Sequence, residues 1–226
     1  MRAVLFDWDG TLVDTVPYMW EATEVVTRHY GLAIAEARYR AEFTPDWRLL
    51  YRRFGLAEEL IEPAGRLWWS VYRGHREAPL LPGARRAVRR LREAGYLTGL
   101  VTAGHRENIQ HQLTRHRMNG LFAVRVFGDE VVQAKPHPEP LLRALRALGL
   151  ADEAGDTAYV GDSFDDLRMA VAVGVRPVGI TSVLGDGDAL RAAGAADVAG
   201  SVSEWVDSLL GPDGTRRPVA PDRGRV

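Results

Sequence analysis

The chain has no cysteine. Disulfide bonds and thiolate chemistry are therefore excluded, and the composition is compatible with a reducing compartment. It has almost no lysine: of its 29 basic residues only Lys135 is a lysine, and the rest are arginine. Such an arginine bias reflects coding composition. A lone lysine against it is either a chance survivor or a position that needs a compact point charge in place of a guanidinium. Net charge is also lacking, at −1, so nothing global calls for a nucleic-acid or membrane-surface partner. No apolar run approaches the ~20 residues of a membrane span. The chain enters a strand at its start, so no signal peptide is expected and the expected location is cytoplasmic. No internal repeat is found.

What is present is an ordinary globular composition, 46% hydrophobic and 26% charged over 226 residues. That length allows one large domain or two small ones around a sizeable core. The chain is organised around Phe6-Asp7-Trp8-Asp9-Gly10-Thr11-Leu12. An apolar run from Ala3 to Phe6 reads as a short buried strand, and it stops at two carboxylates, a glycine and a hydroxyl. Carboxylates at the end of a buried strand are costly unless a cation or a reaction uses them. This stretch is therefore read as the active site, with Asp7 as nucleophile.

From about residue 16 to 78 the texture is helical and rich in aromatics, including Trp20, Tyr39, Trp47, Tyr51, Trp68, Trp69 and Tyr72. Gly31, the Thr44-Pro45-Asp46 step and Gly55 divide it into roughly four helices, with Thr44 or Asp46 as cap of the one starting near Trp47. Pro79 to Gly83 reads as the return linker. A helix over 84–94 then puts Ala84, Ala87, Val88 and Leu91 on one face and arginines on the others, and Gly95 stops it. Strands and helices alternate after that. Strands are expected at 96–102, 122–127 and 157–160, with 175–180 as the last core strand. Helices are expected at 105–117, with Ile109 and Leu113 inward, at 138–148, and at 164–173 carrying Phe164, Leu167 and Val171. Short helices follow near 189–193 and 203–210. Alternation of this kind implies an α/β fold, a doubly wound parallel sheet with helices on both faces. Residues 1–15 and 79–210 would form that core and 16–78 an inserted all-α domain. The 211–226 tail, almost free of apolar residues, is expected to be disordered.

Asp7 and Asp9, Thr102, Lys135, and Asp162 with Asp166 all end strands or follow them, so sequence order alone predicts that they converge at the carboxyl edge of the sheet. Two or three carboxylates hold a hard cation such as Mg²⁺. A lysine and a threonine bind phosphate oxygens. Phosphoryl transfer needs little beyond a positioned nucleophile, a cation and charge stabilisation.

Asp7-Trp8-Asp9-Gly10-Thr11-Leu12, Thr102, Lys135-Pro136 and Gly161-Asp162-Ser163-Phe164-Asp165-Asp166 resemble, in order and spacing, the four motifs of the haloacid-dehalogenase-like hydrolase superfamily. Within it the chain looks most like the phosphoglycolate-phosphatase and β-phosphoglucomutase branch. The resemblance implies a Rossmann-like core with a helical cap inserted between the first two motifs. It implies that Asp7 attacks phosphorus and that Asp9 protonates the leaving oxygen and then deprotonates water. Thr102 and the amides after it, beginning with Ala103, would hold the phosphate, and Lys135 would neutralise it. Mg²⁺ would be bound by Asp7, the Asp9 carbonyl and Asp162. Asp166, in preference to Asp165, would hold Lys135 or a metal-bound water. Gly10 and Thr11 support the turn.

A carboxylate at Asp9 points to phosphate esters or anhydrides, because an oxygen leaving group profits from a general acid. Ala103 and Gly104 stand where many relatives place Asn or Ser. In the cap, Trp47, Arg48, Arg52, His75 and Arg76 are candidates for substrate contact. The aromatic run Trp68-Trp69-Tyr72 is a further candidate for that contact, although core is favoured for Trp68 and Trp69, because Trp at helical spacing is more often core. His105 and Arg106 are expected near the site mouth, with His105 equally well explained as an exposed helix start. The expected partner is a small phosphorylated metabolite, with no nucleic acid and no membrane, and the chain is expected as a monomer or homodimer. The expected activity is a Mg²⁺-dependent phosphatase acting through an aspartyl-phosphate. A phosphosugar mutase or a pyrophosphatase is the alternative within the family. A receiver-type switch is disfavoured by the first-strand Asp-x-Asp and the helical insertion.

Overall fold

The computed structural model describes residues 1–44, 46–73, 78–181 and 186–211. Pro45, His75, Arg76 and all but the first residue of the expected tail lie outside the described residues.

The first strand, β1 (Ala3–Phe6), is buried along its whole length. Its alternate side chains enter two cores. Val4 and Phe6 join the one built from Leu91, Leu100 and Val160, while Ala3 and Leu5 join the one built from Leu141, Leu145 and Tyr159. A parallel strand covered on both faces needs that continuous apolar run. The chain then leaves the sheet into α1 (Val16–His29), α2 (Glu36–Glu42), α3 (Trp47–Phe54) and α4 (Glu58–Tyr72). These helices bury a core of their own, with Val26, Tyr39, Tyr51, Phe54 and Ile61 at its centre. Of the two candidate caps, Asp46 starts α3: its carboxylate accepts from the amides of Arg48 and Leu49 at 3.0 and 3.2 Å.

The way out and the way back run side by side. Asp14 N–H donates to Pro79 O at 2.9 Å, and Leu81 N–H donates to Leu12 O at 3.0 Å. The return leads into α5 (Ala84–Glu93), β2 (Leu97–Val101), α6 (Arg106–Arg115), β3 (Val124–Val126), α7 (Glu139–Ala147), β4 (Thr157–Gly161), α8 (Phe164–Val173), β5 (Arg176–Ile180), α9 (Gly187–Ala192), β6 (Asp197–Ala199) and α10 (Val202–Leu209). The strands pair in the order β3-β2-β1-β4-β5-β6, all parallel. The order reverses between β1 and β4, which places the switch point beside Asp7. No described helix is long and apolar enough to cross a membrane.

Three expectations are corrected. The strand at 175–180 is not the last: β6 extends the sheet at its edge. Its three residues carry no apolar run, and it is held by Asp197, which accepts from Arg176 Nε and Nη2 at 2.9 Å each. The strand expected over 122–127 is shorter, with the buried Phe122 and Phe127 flanking the ladder. In α8, Phe164 and Val171 are 40% and 53% exposed. Leu167 is buried as expected, and Met169 and Ala170 take the inward places beside it, on a helix whose first turn buries Asp165 and Asp166.

The Asp197–Arg176 pairing has a pH signature. The bonds from Arg176 pull the Asp197 carboxyl below its ordinary 3.8. Its stabilising contribution is therefore present above that value and is lost as pH falls through the lower folded value. Asp197→Asn should reduce the unfolding free energy by about 0.2–1 kcal/mol at neutral pH. Denaturant titrations should find the deficit shrinking below about pH 4; a deficit that is the same at both pH values contradicts the assignment.

Candidate active site

Four strand ends supply the site. The Asp7 amide donates to Val160 O at 2.8 Å, which ties the residue after β1 to β4. Asp162 follows β4 directly. Thr102 follows β2, and its amide donates to Val126 O at 3.0 Å. Lys135 stands in the segment between β3 and α7.

At the centre the Lys135 ammonium lies 2.6 Å from Asp7 Oδ1 and 2.7 Å from Asp166 Oδ1. All three residues are buried. Burial alone would pull the ammonium down, but Asp166 and Asp7 outweigh it and hold Lys135 above its ordinary value. Asp166 is fully engaged. Its Oδ1 also accepts from Tyr159 Oη at 3.1 Å, and its Oδ2 accepts from Ser163 N and Oγ at 3.2 and 2.8 Å. Asp166 thus sits as the anchor of Lys135, and Asp165 turns elsewhere, accepting from Thr44 Oγ1 at 3.0 Å.

Asp7, Asp162 and Asp166 each place a carboxylate oxygen within 4.8 Å of the others. Asp162 Oδ1 accepts from Thr11 Oγ1 at 3.2 Å, while its Oδ2 is buried without a hydrogen-bond partner. Burial, reinforced by Asp7 and Asp166, holds the Asp162 carboxyl well above its ordinary value. Burial likewise pushes Asp7 up to about 7, against the lowering pull of Lys135, with Asp166 and Asp9 adding to the rise. A cluster with more negative charge than Lys135 can balance, and with one oxygen unpartnered, fits a hard divalent cation. Gly10 packs against the same carboxylate. At its φ of +76° a Cβ would lie 2.2 Å from Asp162 Oδ2, so only glycine fits.

Thr102 is buried, and its Oγ1 accepts from the Gly104 amide at 3.0 Å, which shapes the turn that carries Ala103. Asp9 is half-buried. Burial raises its carboxyl, against the lowering pull of Thr15, Lys135 and Tyr72.

Sequence reasoning missed three contacts from the helical block. Tyr72, the last residue of α4, places its hydroxyl 3.4 Å from Asp9 Oδ1. Burial and the Asp9 charge hold that phenol well above its ordinary value, so it acts as a donor. Thr44 reaches Asp165, as described. Trp69 was expected in the core but is half-buried, with its ring 4.9 Å from that of the exposed His105. Trp68, as expected, packs against the block's core, its Nε1 donating to Thr23 Oγ1 at 3.1 Å. Residues 44, 69 and 72 are far from their partners in sequence, and no local spacing marks them. Trp47 is half-buried against the block's core. Arg48 and Arg52 are exposed and engaged by Glu62 and Glu58 of α4, both at 2.6 Å. Arg106 is exposed, and its Nε donates to Glu130 at 2.9 Å.

Residues 4–180 match the model of the haloacid dehalogenase-like hydrolases. The chain belongs to that family. It is 31% identical over 199 residues to a phosphoglycolate phosphatase of Yersinia pestis, covering 84% of this chain and 85% of that one. It is also 31% identical over 204 residues to a phosphorylated carbohydrates phosphatase of Thermotoga maritima, covering 86% and 92%. Among solved structures, a hydrolase from Pseudomonas syringae superposes with a TM-score of 0.82 at 22% identity, covering 92% of this chain and 98% of that one. This haloacid dehalogenase-like hydrolase is accordingly a phosphoric monoester hydrolase of the phosphoglycolate-phosphatase and β-phosphoglucomutase-like branch, and its sheet is the fold of the family.

If the fit of Gly10 against Asp162 sets the spacing of the cluster, Gly10→Ala should cut turnover by about 10²-fold, the usual cost of a displacement near 1 Å at reacting groups. Steady-state phosphate release checks this; unchanged turnover contradicts it.

Proposed function

We propose that this chain is a Mg²⁺-dependent phosphatase that hydrolyses the phosphate monoester of a small metabolite through an aspartyl-phosphate on Asp7. The observation that carries the reading is the buried Asp7–Lys135 contact of 2.6 Å beside the unpartnered oxygen of Asp162. Asp7 attacks phosphorus as the bond from phosphorus to the leaving oxygen breaks, and Asp9 gives that oxygen its proton. Asp9, now a carboxylate, takes a proton from water as the water oxygen attacks phosphorus. The Asp7–phosphorus bond breaks, orthophosphate departs and the Asp7 carboxylate is restored.

Lys135, Thr102 and the Ala103 amide hold the phosphoryl oxygens, and Asp166 keeps Lys135 in place. Asp7, the Asp9 carbonyl and Asp162 would hold Mg²⁺, which when bound supplies positive charge against the carboxylates and the transferring group. Gly10 and Thr11 fix Asp162. Helices α1 to α4 form a cap over this site. The names of the relatives support phosphoglycolate or a sugar phosphate as the substrate class.

The test is phosphate release from phosphoglycolate, a panel of sugar phosphates and pyrophosphate, with Mg²⁺ and again with a chelator. Many turnovers on one monoester are expected, lost with the chelator and lost in Asp7→Asn. Release that survives Asp7→Asn contradicts the reading.

A further inference from the structure

The helical block meets the sheet edge at three places, and one of its contacts falls on a reacting group. Thr44 reaches Asp165 in the first turn of α8, just beyond the loop after β4, and Trp69 meets His105 of the loop after β2. Tyr72 reaches Asp9 of the loop after β1. Its mount is rigid. The Tyr72 ring is buried, and it stacks on Trp68 with centroids 4.5 Å apart and planes 17° from parallel. Trp68 is in turn fixed by its bond to Thr23 Oγ1 in α1. The α1–α4 pair therefore delivers one hydroxyl to Asp9 Oδ1 from a direction that the sheet itself does not supply.

We propose that Tyr72 is a positioning residue for the proton transfer: by donating to Asp9 Oδ1 it fixes the carboxyl so that Oδ2 carries the proton toward the leaving oxygen, and it does so only while the helical block is seated. The proposal rests on the assignment of Asp9 as proton donor. It adds that the donor is aligned from outside the sheet, by a residue that touches neither the phosphoryl group nor the nucleophile. Without the hydroxyl the carboxyl keeps its proton but loses one fixed orientation among its rotamers. The cost then falls on steps that need the proton delivered and not on phosphate binding.

Leaving-group chemistry separates this from a merely structural role. An alkyl ester such as phosphoglycolate leaves as a strongly basic alkoxide and needs the proton. Acetyl phosphate leaves as acetate and does not. The measurement is kcat/KM for both compounds with Mg²⁺, because that quantity reports on the steps through leaving-group departure. Parent, Tyr72→Phe, Asp9→Asn and Asp7→Asn are compared. Tyr72→Phe keeps the ring and its stack and removes only the hydroxyl.

Tyr72→Phe should lower kcat/KM for the ester by about 10- to 100-fold, within the ~10²–10⁴ that acid–base catalysis supplies, with acetyl phosphate changed no more than about twofold. The loss should lie in kcat and not in KM. Because both compounds are assayed on one preparation, their ratio does not depend on the fraction of folded enzyme. Equal losses on the two compounds, or no loss on the ester, overturn the role of Tyr72. Asp9→Asn should move the ratio in the same direction. If it does not, the assignment of Asp9 fails and the proposal with it. Turnover of either compound by Asp7→Asn overturns the wider reading of the site.

Discussion

The site depends on one buried cation. The Lys135 ammonium bridges Asp7 and Asp166 at 2.6 and 2.7 Å with all three side chains out of water. Such an arrangement stands only while every partner is present: removing one member of a buried ion pair costs about 3–5 kcal/mol, because the remaining charge is stranded. Lys135 therefore has two jobs in one place. It offsets the charge that burial would otherwise force off Asp7, and it ties Asp7 to Asp166 in the first turn of α8. The composition acquires a physical meaning here. In a chain that uses arginine at every other basic position, the one lysine occupies the slot between two carboxylates where a compact head is required.

The sheet exists, in functional terms, to bring that slot into being. Parallel pairing of β1 with β2 and β4 puts the residues after each strand on one edge, and the reversal of strand order beside β1 opens the crevice there. The surplus of carboxylate over ammonium, the partnerless Asp162 oxygen and the close fit of Gly10 all belong to one problem. Negative groups are gathered at a dry edge and held at a spacing suited to a cation and a phosphoryl group. The helical block then meets the sheet edge at three places, Thr44 with Asp165, Trp69 with His105 and Tyr72 with Asp9.

Legibility in the sequence followed the physics of each element. The strands β1, β2, β4 and β5 are interior to the sheet and, apart from the exposed Leu97 and Arg176 that start β2 and β5, buried and mostly apolar, so they could be read directly. The edge strand β6 could not, because three residues with an aspartate at the first position are held by Arg176 and not by an apolar pattern. In α8 the apolar residues Phe164 and Val171 misled, because the helix is oriented by its capping box and by the buried carboxylates of its first turn. Among the candidate site residues, Asp7, Asp9, Thr102 and Asp162 were legible because each stands just beyond a strand, and Lys135 and Asp166 because their stretches match the family's motifs in order and spacing. Tyr72, Thr44 and Trp69 were not, because their roles arise from how one body of helices rests on another body of sheet. Arg48 and Arg52, the candidates for substrate contact in the cap, are exposed and paired with Glu62 and Glu58, partners that no motif of the sequence marks.

The central claim is that Asp7, held by Lys135, becomes covalently phosphorylated. The direct test is to mix enzyme with substrate and Mg²⁺, quench in acid within one turnover, reduce the acyl phosphate with borohydride and locate the modified residue by peptide mass spectrometry. The account predicts conversion of Asp7 to homoserine, with the other site carboxylates intact. Modification at Asp9 or Asp162 instead, or none during sustained turnover, would contradict it.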